Sequence, residues 1–283
     1  MHFQYLEPRT LKQASAFLEK YGNQASLVAG GTDLMVKMKR KILNPDYVID
    51  LEGIPNLDSI KYSPKSGLTI GALTKISALE YSPLLKKYYP VLSYAAGQIG
   101  SIAIRNLATL GGNVCNAAPS ADTVPALICL QASARTRARE SERIIPLECF
   151  FLGPGLTCLE KGEILVEIAL PPPQPDTRAV YIKHSPRGAM DLAVVGVAVA
   201  AVMEGGTVKD IRLALGAVAP TPLRARQAED AIRGQVLTES LIKRVAAIAA
   251  GESRCITDVR GSSGYRQEMV DVFTRRALKT LIT

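Results

Sequence analysis

Two pairs of consecutive glycines stand where a polypeptide backbone can close on an anion. Gly30 and Gly31 lie in Val28-Ala29-Gly30-Gly31-Thr32-Asp33-Leu34, between an apolar stretch of strand character and a helical stretch from Thr32 to Lys41. Without Cβ atoms, successive N–H groups can converge on negative charge at the mouth of a helix whose dipole also favours it, and a diphosphate is the obvious guest. The same residues serve a plainer purpose equally well, a tight strand-to-helix turn capped by Thr32 or Asp33. Gly111 and Gly112 lie in Ile104-Arg105-Asn106-Leu107-Ala108-Thr109-Leu110-Gly111-Gly112-Asn113, which runs on to Ala117-Ala118-Pro119-Ser120-Ala121-Asp122. Here too a plainer role exists, Gly-Asn at positive φ in a turn. Neither stretch follows Gly-x-Gly-x-x-Gly or Gly-x-x-x-x-Gly-Lys-Ser/Thr, which disfavours a Rossmann dinucleotide site and a P-loop.

Other reactive side chains offer less. Cys115, Cys129, Cys149, Cys158 and Cys255 are odd in number, irregularly spaced and without a Cys-x-x-Cys pair, the pattern of small thiols rather than of zinc or an iron–sulfur cluster held by this chain alone. His184 and Arg187 share one segment, but a single histidine on a loop is an ordinary hydrogen-bonded surface group, and no Ser-His-Asp set is visible in the spacing. Hydrolase chemistry has no support.

The elements that position the glycines alternate. Leu11, Ala14, Phe17 and Leu18 recur at helical spacing after Thr10, while Ala25–Val28 and Tyr47–Asp50 read as strands, which makes a βαβαβ unit. A hairpin follows (Ser59 to Tyr62, Leu68 to Ala72), then helices near Ile76 to Glu80 and Val91 to Gly97. After these come a glycine-bearing loop from Thr109 to Pro119, a helix from about Asp122 to Leu130, and two or three more strands ending at Ile164 to Leu170. The prolines of Leu170-Pro-Pro-Pro-Gln-Pro-Asp remove backbone donors and mark a boundary. Beyond it, Val180 to Lys183, Leu192 to Met203 and Val208 to Val218 read as an antiparallel meander. Helices over Pro222 to Ile232, Thr238 to Ala250 and Gln267 to Leu281 close the chain. The fold class is α+β, with domains at 1–172 and 173–283 and a subdomain boundary near 53–56.

With 283 residues, 47% hydrophobic and 21% charged, the chain has ordinary globular composition and length for about two domains. The longest uncharged apolar run, Leu192 to Met203 after Asp191, is well short of the roughly 20 residues a membrane span needs. No secretion signal marks the N-terminus, so a cytoplasmic location is expected. The formal charge of +8 includes clusters at Lys37 to Lys41 and Arg135 to Arg139, but these lack interleaved aromatics. That argues against a nucleic-acid surface and favours solvated faces, an anionic ligand or an acidic partner protein.

Three segments together resemble the flavin-binding medium subunit of the molybdenum hydroxylases, the group of xanthine dehydrogenase and carbon monoxide dehydrogenase. They are Ala-Gly-Gly-Thr-Asp-Leu at 29–34, Ile-Arg-Asn-x-x-Thr-Leu-Gly-Gly-Asn at 104–113 and Ala-x-Pro-x-x-Asp at 117–122. Gly162-Glu163-Ile164-Leu165 and Tyr181-Ile182-Lys183 extend the likeness across the chain. The resemblance implies a vanillyl-alcohol-oxidase-type (PCMH) FAD-binding domain of two α/β subdomains, then a C-terminal domain of the CO dehydrogenase flavoprotein type. It implies non-covalent FAD whose pyrophosphate is cradled by Ala29, Gly30, Gly31, Thr32, Asp33 and Leu34. Thr109, Gly112, Asn113 and Ala117 would form the opposing wall, and Asp122 would accept from a cofactor hydroxyl, although Asp122 is equally suited to cap its own helix. Leu165 and Lys183 would stand beside the isoalloxazine, the lysine offering positive charge. Ile99 falls where some relatives place an aromatic residue against the ring.

The same resemblance implies two partners: a small subunit with iron–sulfur clusters and a large one with molybdopterin, where substrate is oxidised, the heterotrimers pairing as dimers. Electrons would pass from the clusters through FAD to NAD, quinone or oxygen. Two rivals share the fold. A hydroxybenzoyl-CoA reductase type of flavin subunit carries a cysteine-rich insertion that these cysteines do not match. A flavin-free binding or assembly protein would have little use for two intact glycine loops.

Overall fold

In the computed structural model, which describes residues 2–188 and 190–282, the chain begins as its periodicity dictates. β1 (Gln4–Leu6), α1 (Leu11–Tyr21), β2 (Ala25–Val28), α2 (Leu34–Lys39) and β3 (Tyr47–Asp50) form a parallel sheet in the order β1-β3-β2. The Thr10 hydroxyl caps α1 by accepting from the Gln13 N–H, and buried Ser15 donates to the Gly162 carbonyl at 2.7 Å, tying this unit to the next. α2 is shorter than the expected Thr32 to Lys41, because positive φ at Gly31 (68°) keeps the chain out of the helix until Leu34.

The next unit is built on β4 (Ile60–Ser63) and β5 (Gly67–Gly71), the expected hairpin. It continues through α3 (Ile76–Tyr81), α4 (Pro83–Tyr88), α5 (Pro90–Gly97), α6 (Ile102–Leu107), α7 (Leu110–Cys115) and α8 (Thr123–Cys129). Then come β6 (Ser133–Arg137), β7 (Glu142–Pro146), the short pair β8 (Phe151–Gly153) and β9 (Leu156–Thr157), and β10 (Ile164–Leu170). A five-stranded antiparallel sheet results, in the order β4-β5-β10-β6-β7. Two expectations need correction. The stretch from Thr109 is not an open loop but carries α7, and the strands of this half outnumber those expected. Ala134 and Thr136 face inward from β6 while Arg135 and Arg137 face out, an alternation of small and charged residues with little apolar signal.

After Pro171–Pro173 the expected meander is present as β11 (Thr177–His184), β12 (Val195–Glu204) and β13 (Thr207–Gly216), joined by a short β14 (Leu223–Arg224). α9 (Arg226–Ile232), α10 (Glu239–Glu252) and α11 (Ser263–Lys279) follow. The apolar run around β12 is buried on both faces. Val195, Val197 and Val199 pack into a core with α10 and α11, whereas Ala198 and Ala200 join the large core of the preceding unit. The small residues on that side let α8 approach, and the Cys129 thiol reaches the Ala198 carbonyl at 3.2 Å. Ala198 pairs with Tyr181 of β11, so this contact lies beside the strand that carries Tyr181 and Lys183.

Candidate functional site

The cleft lies between the parallel sheet and the α6–α7 segment, about 350 Å³ in volume, and both glycine stretches line it. Ala29, Gly30, Gly31, Thr32, Asp33 and Leu34 form one wall; Thr109, Gly112 and Asn113 form another, with Ile99 and Leu165 also in the lining. Residues some 80 positions apart in sequence are thereby brought around one space.

The two walls differ in what they can offer a ligand. Among the described residues, the N–H groups of Gly30, Gly31, Thr32 and Asp33 donate to no protein acceptor, nor does the Asp33 side chain cap α2. Successive N–H groups around one left-handed residue form a concavity that binds anions. At α7 the backbone donors are already taken. The Leu110 and Gly111 N–H groups donate to the carbonyls of Thr74 and Ala72, and Gly112 and Asn113 donate to the hydroxyl and carbonyl of Thr109. That wall can therefore offer only side chains: the Thr109 hydroxyl proton and the Asn113 amide, whose Oδ1 accepts from Thr123 at 2.6 Å.

The glycines have separable reasons to be glycine. A Cβ on Gly30 would stand 1.8 Å from the Leu107 carbonyl oxygen, so this residue is where the two walls touch. Gly31 holds φ at 68°, and a Cβ there would meet only the flexible Met35 side chain closely, at 3.2 Å. Gly111 lies against Ala72, where a Cβ would be 2.8 Å from the alanine Cβ and α7 could no longer sit on the end of β5.

Ala117, Asp122 and Lys183 lie outside the cleft lining. Ala117 is a buried turn residue at φ 46°, its carbonyl accepting from Gly155. Asp122 makes no cap bond to α8. Instead its Oδ1 accepts from the Tyr181 hydroxyl and its Oδ2 from the Lys183 ammonium, both at 2.8 Å. Lys183 is thus no solvated strand-end lysine: its side chain is 4% exposed and its Nζ also donates to the Gln98 carbonyl at 2.8 Å, next to Ile99 in the cleft wall. Burial pushes the Asp122 carboxyl above the usual range, against the opposing pull of the Lys183 charge, and burial with the neighbouring carboxylate drives the Tyr181 hydroxyl far up.

Arg105 acts on the same wall from beneath. Its guanidinium grips Glu80 of α3 at 2.7 Å and donates to the carbonyls of Ile99 and Gly100, fixing the turn that presents Ile99. His184, expected on a loop, ends β11 with its Nε2 2.8 Å from the Tyr265 hydroxyl and its ring stacked on Phe273. The cleft also takes in residues that the sequence did not assign to it. Cys115 lines it with a thiol pushed up to about 12 by burial, and Lys37 and Asn116 face each other there. Lys37 follows Asp33 at helical spacing, a signal that was present; Asn116 carried none.

Residues 1–173 match the family described as FAD binding domain in molybdopterin dehydrogenase, and residues 180–281 match the CO dehydrogenase flavoprotein C-terminal domain. The glyceraldehyde dehydrogenase medium chain of Sulfolobus acidocaldarius is 34% identical, over 98% of this chain and 97% of its own length. A putative xanthine dehydrogenase FAD-binding subunit of Escherichia coli is 29% identical over 92% and 89%. A solved carbon monoxide dehydrogenase from Hydrogenophaga pseudoflava, lacking the Mo-pyranopterin moiety, superposes with TM-score 0.96 at 34% identity, covering 99% of this chain and 96% of that one. With both halves matched and the relatives covered nearly end to end, this chain belongs to the FAD-binding subunits of the molybdenum hydroxylases and is an oxidoreductase subunit.

Proposed function

We propose that the cleft holds FAD non-covalently and that the chain carries electrons from iron–sulfur clusters of a small partner subunit to a final acceptor such as NAD, quinone or oxygen. A large molybdopterin subunit would oxidise the substrate, and the heterotrimers would pair. The observation that carries this reading is the run of unpartnered N–H groups from Gly30 to Asp33 facing a second wall across the cleft. It fits a diphosphate, which needs several donors converging on one point and no side chain in the way. The Thr32 hydroxyl lies in the same wall and can add a donor. Bound FAD would supply the redox chemistry, accepting electrons singly and passing them on as a pair.

The protein's contribution is to bind, orient and exclude water. Ile99, Ile164 and Leu165 give the cleft apolar lining suited to a ring. Lys183 and Arg105, each paired with a carboxylate (Asp122 and Glu80), hold the Gln98–Gly100 backbone that presents Ile99 to the cleft. We further propose the division at 1–172 and 173–283 and a cytoplasmic setting; among the described residues no helix is long and apolar enough to cross a membrane. The direct test is to purify the full chain, record its absorption spectrum and release the cofactor. A yellow protein yielding FAD supports the reading, and a chain that stays colourless with added FAD refutes it.

A further inference from the structure

Charge around the cleft is sparse. Of its lining residues only Asp33 and Lys37 carry charge, so Lys37 is the single cation among the described residues that line it. Lys37 has no carboxylate partner. Its Nζ donates at 2.7 Å to Oδ1 of Asn116, just beyond the end of α7, and the Asn116 amide in turn donates at 3.1 Å to the Asp33 carboxylate. Asp33 and Lys37 are one turn apart on α2, where the Lys37 N–H donates to the Asp33 carbonyl. One neutral amide therefore holds a lysine at the rim of the anion-binding loop and bridges the two walls of the cleft. Half-buried, with a neutral acceptor, the ammonium makes no direct ion pair among the described residues, reaches Asp33 only through the Asn116 amide and has donors to spare.

Resting on the FAD reading above, we infer that Lys37, positioned by Asn116, supplies the cationic charge that this cleft offers the diphosphate, and so selects the dinucleotide over flavins that lack one. The loop N–H groups give direction and close fit but only partial charges; a full positive charge must come from a side chain. Asn116 is a positioning residue: without it the lysine is free to swing into solvent and the bridge to Asp33 is lost.

The test is titration of the full chain, stripped of flavin, with FAD and with riboflavin at low and high ionic strength. Lys37→Met should weaken FAD by about ten- to a hundredfold, the scale of one hydrogen bond to a charged group, leave riboflavin within about twofold, and flatten the salt dependence of FAD binding. Asn116→Leu should reproduce part of that loss, and Lys37→Arg should restore most of it. Unchanged unfolding temperatures of the flavin-free variants show that the change lies in binding and not in folding. FAD affinity within twofold of wild type in Lys37→Met, or equal losses for FAD and riboflavin, would overturn the role of Lys37 alone. A wild-type chain that takes up no FAD would overturn the cleft reading and this one together.

Discussion

The buried contact between Asp122 and Lys183 makes the sharpest quantitative prediction. Both side chains are almost wholly out of water, 7% and 4% exposed, and they join the start of α8 to β11 across the interface of two sheets. In Asp122→Asn, an amide that satisfies the Tyr181 hydroxyl with its oxygen turns its NH2 toward an ammonium, leaving Lys183 with the Gln98 carbonyl alone. In Lys183→Met the carboxylate is left buried with one hydroxyl donor. Breaking a buried pair from one side costs about 3–5 kcal/mol, so each single variant should lose on the order of 10 °C in unfolding temperature. The double variant leaves no orphaned charge, and its loss should be well below the sum, with a coupling of about 2–3 kcal/mol. Denaturant unfolding of the four proteins closes the cycle. Additivity within about 0.5 kcal/mol would refute the pair as a structural lock. The rival role, charge offered directly to a flavin ring, moves a different observable: a shifted flavin potential in Lys183→Met with unchanged stability would show that the lysine works at the ring.

Gly30→Ala forces a Cβ to within 1.8 Å of the Leu107 carbonyl oxygen, so it should cost about 3 kcal/mol or more and also lose FAD; wild-type stability by chemical denaturation would show that the walls do not meet there. Gly31→Val strains a left-handed backbone by about 1–3 kcal/mol and makes only the flexible Met35 side chain give way, so FAD retention should fail while the far-UV spectrum persists; retention at wild-type affinity would place the anion elsewhere. His184 is held below its ordinary 6.5, first by burial and then by nearby Arg276. The neutral ring is therefore the stabilised form, and its contribution is present above that value and lost as pH falls through the lowered one. Unfolding temperature should decline on acidification below about pH 6.5, and His184→Phe should flatten that part of the curve; an identical slope in the variant would exonerate the histidine.

What was legible in the sequence follows a physical line. Long amphipathic elements and punctuated strands could be read because they carry their own period: α1 with its Thr10 cap, the hairpin before α3, the meander across Glu204-Gly205-Gly206. α7 could not, since Gly111, Gly112 and Asn113 are poor helix formers and the helix is only six residues long. It exists because Thr74 and Ala72 accept its first N–H groups, a tertiary cause invisible in local composition. The glycine walls of the site were legible as types at a spacing, but the partner of Asp122 was not. It lies 61 residues away on β11, brought there by tertiary packing in which Tyr181, Ala198 and Ala200 join the core around α8.

The first glycine pair also shows how a correct motif can be read for half of the right reason. Both glycines would be expected to clear a path for phosphate. In the fold, Gly30 clears a path for the Leu107 carbonyl, and the N–H groups after it belong to the turn and the opening of α2, where the Gly31 carbonyl already accepts from the Met35 N–H. The donors of Gly30 to Asp33 are thus left unsatisfied by the protein itself, held in place by a contact that involves no ligand. The start of α2 leaves the later N–H groups of this run open in any case, and the Gly30 contact limits how far the loop that carries them can move. A loop ordered by that contact meets part of its ordering cost during folding, so less remains to be met on binding. The loss of FAD in Gly30→Ala and in Gly31→Val should therefore differ in kind: the first unlocks the walls, the second distorts one of them.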